Sequence, residues 1–122
     1  MNSKMDAPDY SLQIEKKTRS GALLFHCRGG FSLSNYALLD GIFEQIKATQ
    51  GRKVVLDLSG IRFMDSVGLG TIAAILKHTM ATEKTLVLVS NDIVDQNLSA
   101  ASLTKVIHIV HSVEEALATP AP

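Results

Sequence analysis

A chain of 122 residues, 46% apolar and 20% charged, fits one compact domain whose core needs no disulfide or metal, and the single cysteine, Cys27, has no internal partner. Twelve basic and twelve acidic side chains leave zero formal charge and no basic cluster, which speaks against nucleic acid as a partner. No run approaches the ~20 apolar residues of a membrane span and Met1 to Tyr10 lacks the apolar core of a secretory signal, so the expectation is a cytoplasmic protein without membrane insertion.

Residues 1–10 carry Lys4, Asp6 and Pro8 without apolar rhythm, which predicts a disordered tail. Residues 119–122, with Pro120 and Pro122, predict another, leaving 11–118 as the domain. Leu12, Ile14 and Lys16 alternate with Gln13, Glu15 and Lys17, the period of a half-exposed strand. Ala22 to Cys27 is a second strand, with Thr18 to Gly21 as the hairpin turn and Gly29 and Gly30 closing it. Ser32 or Ser34 can cap a helix in which Leu38, Leu39, Ile42, Phe43 and Ile46 recur at helical spacing, and Gly51 is a stop signal. Val54 to Leu58 is nearly continuous in apolar character, as in a central strand covered on both faces.

Asp65 can cap a second helix with the buried stripe Leu69, Ile72, Ala73, Leu76 and Met80, followed by the strand Leu86 to Val89. Strand, helix and strand in that order form a crossover unit and imply parallel pairing. A third helix runs from Asp92 to about Ala101, and Val106 to Val110 reads as the last strand. Ser112 with Glu115 makes a capping box on a short helix, Val113 to Ala118. The sum is an α/β domain with a mixed, mainly parallel central sheet of about five strands and about four helices.

The stretch Asp65-Ser66-Val67-Gly68-Leu69-Gly70 breaks local rules, because each glycine in a helix costs up to ~1 kcal/mol relative to alanine. Two explanations are open: close packing of this helix on its neighbours, or close approach of another molecule. With Asp65 as cap, Ser66 is the first helical residue, its hydroxyl toward solvent, where a strand hands over to a helix. A phosphate there would add roughly −1.5 to −2 charges, partly compensated by the helix end, and so change the surface without unfolding the domain. The plain alternative is that Ser66 is an auxiliary cap.

Other motifs carry less. Gly68 to Ala73 matches the dinucleotide pattern G-x-G-x-x-A, but falls inside a helix rather than in a tight turn after a first strand. A nucleophile elbow needs glycine where Met64 stands. His108 and His111 straddle a strand end and His26 and Cys27 alternate across a strand, so neither pair reads as a metal site.

Leu56-Asp57-Leu58-Ser59-Gly60-Ile61, followed by Phe63-Met64-Asp65-Ser66-Val67-Gly68-Leu69-Gly70 and the closing Ser112 to Leu117 helix, resembles the STAS family of anti-sigma factor antagonists over about residues 11–118. The resemblance implies a non-enzymatic binding module without a cofactor. Ser66 matches the serine phosphorylated by a histidine-kinase-like anti-sigma factor, and Asp65 matches the adjacent capping acid. It also implies a cycle. The unphosphorylated protein binds the anti-sigma kinase and frees a sigma factor, phosphorylation ends that binding, and a PP2C-type phosphatase restores it. The implied partner-binding set is Asp65, Ser66, Val67, Gly68, Leu69 and Gly70 with Gly30 and Ser32. Where the family commonly carries acids after the glycine closing the second strand, this chain has Gly30, Phe31 and Ser32. Two other functions fit the residues: a STAS scaffold or docking subunit without a phosphorylation cycle, as in a stressosome or beside a transport ATPase, and a small nucleotide-binding protein using Gly68 to Ala73.

Overall fold

The computed structural model describes residues 10–120. A two-residue turn, Ser20 and Gly21, joins β1 (Gln13–Arg19) to β2 (Ala22–Phe31). Both turn residues have positive φ, 52° and 78°, the twist that suits an antiparallel hairpin. A 3₁₀ turn, Leu33–Asn35, leads into α1 (Tyr36–Ala48), and β3 (Lys53–Met64) then pairs parallel with β2. The pattern repeats through α2 (Ser66–Ala81), β4 (Thr85–Val89), α3 (Asp92–Ala100) and β5 (His108–Val110), and α4 (Val113–Ala118) closes the described chain. The sheet runs β1-β2-β3-β4-β5, antiparallel only between β1 and β2. The mixed, mainly parallel sheet with four α-helices is the architecture that the residue pattern predicts.

Crossovers of one hand stepping in one direction put their helices on one side of a sheet. On that side Phe25, Leu56, Leu58 and Leu88 pack with Leu39, Ile42, Ile46, Ile72, Ile75, Val94 and Leu98. On the other, Ala22, Leu24, Val55, Val87, Val89 and Val110 pack among the described residues with Ala116, Val113 and Leu117 of α4. Lys53, buried at the start of β3, donates from Nζ to the carbonyls of Leu117 and Thr119 and so ties the end of α4 to the sheet. Burial holds its pKa below the usual lysine range.

Several boundaries differ from the sequence expectation for identifiable reasons. β3 continues six residues past Leu58, because β2 follows it through two register shifts and Asn91 Nδ2 donates to the Ser59 and Ile61 carbonyls beyond the end of β4. β5 is shorter, since the amides of Val106 and Ile107 turn back to the Leu103 carbonyl and leave Val106 exposed. The buried line of α2 is Gly68, Ile72, Ile75 and Thr79; Met80 is exposed, and Leu69, Ala73 and Leu76 are only partly buried. Leu38 of α1 is exposed as well. Tyr10, assigned to a tail, stacks on Phe63 at 4.7 Å, and Thr119 accepts from Lys53; the rest of the expected N-terminal tail and residues 121–122 lie outside the described residues.

Candidate functional site

Met64 ends β3 in the core, and the chain turns at Asp65 into α2. Asp65 Oδ1 accepts the amides of Val67 at 3.0 Å and Gly68 at 3.1 Å, the capping role its position predicts. Its second oxygen, Oδ2, accepts the Leu33 amide at 3.0 Å. One carboxylate therefore caps α2 and holds the 3₁₀ turn that opens α1. The sequence expectation gave that second task to Ser32 or Ser34, but Ser32 makes no capping bond and its hydroxyl meets that of Ser34 at 3.0 Å. No local pattern shows a cap 32 residues away in sequence.

Ser66 is exposed as the first residue of α2. The two glycines after it have different reasons. A Cβ on Gly68 would stand 2.0 Å from the Phe31 carbonyl oxygen, so this glycine lets α2 abut the end of β2. A Cβ on Gly70 would meet nothing within 4 Å. Gly70 instead borders a shallow groove of about 300 Å³ between α1 and α2, with Tyr36, Phe43, Val67 and Ala74 among its walls. Leu33, 64% exposed, and Tyr36, 58% exposed, add apolar surface on the segment bonded to Asp65. Gly30 and Ser32 are buried below this surface rather than on it: Asn35 Nδ2 donates to the carbonyls of Gly30 at 2.7 Å and Tyr10 at 2.9 Å, packing the N-terminal segment against them.

The remaining sequence candidates separate cleanly. Gly68 to Ala73 lie within α2, with Gly68 sealed by Phe31, so they form no turn around a pyrophosphate. Cys27 is buried in the core and burial pushes its thiol up to about 12. His108 is exposed, while His111 Nε2 meets Asp95 Oδ2 at 3.1 Å. His26 Nδ1 meets the buried Asp57 Oδ2 at 2.6 Å, a pairing that sequence spacing does not reveal.

The STAS domain family matches residues 13–116 of this chain. The chain belongs to the STAS domain family. A Thermotoga maritima protein provisionally described as an anti-sigma factor antagonist superposes on this STAS domain with a TM-score of 0.78. The two are 24% identical over 85% of this chain and 91% of that one. An anti-sigma factor antagonist from Mycobacterium paratuberculosis gives 0.78 at 22% identity, covering 91% and 94% of the two chains. The anti-sigma factor antagonist SpoIIAA in its unphosphorylated form gives 0.70 at 16%, covering 88% and 93%. At these identities the likeness is one of fold. Among the described residues of this STAS domain, no helix is long and apolar enough to cross a membrane.

Proposed function

We propose that this STAS domain is a cytoplasmic anti-sigma factor antagonist, a binding module without catalysis of its own, whose docking surface is switched by phosphorylation of Ser66. The observation that carries the reading is the exposed hydroxyl at the first position of α2, beside the carboxylate that holds the starts of two helices together. Unmodified, the surface is small and largely apolar: Leu33, Tyr36, Val67 and the open Gly70 groove flank a neutral serine. A phosphate would bring roughly −1.5 to −2 charges to that point. Asp65 already accepts two of the first-turn amides, so the helix end compensates the added charge less than an uncapped helix would. A partner fitted to the neutral surface would have to desolvate the phosphate or face it with a like charge, and either lowers affinity.

The partners on this reading are a histidine-kinase-like anti-sigma factor with serine kinase activity and a PP2C-type phosphatase. The test is a pull-down from native lysate with wild type, Ser66→Ala and Ser66→Asp as baits, with mass spectrometry on the captured proteins and on Ser66. The expected result is a histidine-kinase-like ATPase held by wild type and Ser66→Ala, released by Ser66→Asp, and phosphate on part of the wild-type Ser66. Equal capture by all three baits with Ser66 never phosphorylated would overturn the switch and leave a docking subunit.

A further inference from the structure

We propose that the sheet face opposite α1, α2 and α3 carries a second site, for a compact oxyanion of the phosphate class, built on Arg28 and Arg62. α4 covers only part of this face. Among the described residues nothing covers the face toward the carboxyl ends of β2 and β3, and a trough of about 590 Å³ crosses β1, β2 and β3. A smaller hollow of about 170 Å³ shares Gln13, Arg28 and Gly60 with it and adds Arg62 and Gly29.

The charges in the trough are not equally partnered. Glu15 is paired with Lys17 at 3.0 Å. Asp57, 7% exposed, has Oδ2 on His26 and Oδ1 on the amide and hydroxyl of Ser59. Both carboxylates are thereby engaged, whereas Arg28 and Arg62 make no hydrogen bond or ion pair among the described residues; Arg28 is coupled to Glu15 only through its charge, which with Lys17 first and His26 holds the Glu15 carboxyl below its usual pKa. Their guanidinium groups are forks of N–H donors that match the oxygens of a phosphate.

The floor between the arginines is shaped to hold them. A Cβ on Gly60 would stand 2.3 Å from Arg28 Cγ, so the arginine stem lies directly across the β3 backbone. Gly29, at φ 105°, has the Ser11 carbonyl oxygen 1.9 Å from where its Cβ would be, which brings the chain before β1 to the rim. The buried Asp57 fixes His26 as the inner wall and, through Ser59, the bulged part of β3 beneath.

The test is a titration of the isotope-labelled full chain with inorganic phosphate, adenosine monophosphate and, as control, chloride at matched ionic strength, followed by amide chemical shifts. Saturable shifts at Arg28, Gly29, Gly60 and Arg62 are expected with phosphate, and Arg28→Gln or Arg62→Gln should weaken them at least about tenfold. Both side chains are exposed, so the variants keep the fold, which the same spectra verify. Tighter binding of the monophosphate, with shifts spreading to His26 and Ser59, would assign the oxyanion to a phosphorylated small molecule. Equal affinity would assign it to the free ion. Shifts that chloride reproduces, that never saturate, or that survive both substitutions would overturn the site. Ser66 takes no part in the titration, so this outcome is independent of the phosphorylation reading.

Discussion

The starts of α2 and α3 perform the same task with different residues. Each follows a parallel strand, and each begins with a side-chain cap: Asp65 for α2, Asn91 for α3. The first helical position is Ser66 in one and Asp92 in the other, and the third is Gly68 against Val94, both buried. Asn91 is neutral, accepts the Val94 amide at 2.9 Å and clamps β3 through Nδ2, while Asp92 and Asp95 complement the helix dipole. That start is arranged for stability. α2 has no acid in its first turn; the negative charge sits on the cap, bridging to Leu33, and the first position is an exposed hydroxyl. α3 shows that a helix start tolerates a permanent charge at that position beside a neutral cap. In α2 the same charge, arriving as phosphate, would stand next to a carboxylate. The difference converts a structural position into one at which added charge changes the surface.

The two helix starts differ most in what their third positions tolerate. Gly68→Ala should destabilise the domain on the order of 3 kcal/mol by forcing a Cβ into the Phe31 carbonyl, whereas Gly70→Ala should stabilise it by up to about 1 kcal/mol through helix propensity. Urea denaturation of the two variants decides this, and equal losses would show that both glycines serve packing. At the caps, Asp65→Ala and Asn91→Ala should each cost about 2 kcal/mol, because each leaves several polar groups without partners. Amide hydrogen exchange separates them: the Leu33 amide should exchange faster only in Asp65→Ala.

The smallest effect belongs to α3. The Ser90 hydroxyl at 2.6 Å, and then His111, hold the Asp95 carboxyl below its usual pKa. A carboxyl depressed in the folded state contributes stability above its unfolded pKa of about 3.9 and loses it as pH falls through the lower folded value. Asp95→Asn should therefore lower stability modestly at neutral pH and flatten the acid limb of the profile below about pH 4, where variant and wild type converge. Thermal denaturation across that range measures it.

Periodicity and local chemistry determined much of this protein from sequence alone. Alternation in β1, the continuous apolar run of β3, the Asp65 cap and the Ser112 cap are local features, and each stands where the sequence reading put it, although the Glu115 carboxylate accepts from the Ser112 hydroxyl instead of closing the capping box on its amide. The order of strands and helices likewise implied parallel pairing, and the Asp65 to Gly70 stretch pointed to the family. Tertiary structure alone decided which face of α2 is buried, because Gly68 brings the helix against β2 and turns Gly68, Ile72, Ile75 and Thr79 inward. It alone joined Asp65 to Leu33, His26 to Asp57, and Asn91 to β3. It also divided the two glycines into one that packs and one that leaves a groove. Such links depend on strands brought side by side from about 30 residues apart, a distance over which neither propensity nor periodicity carries information.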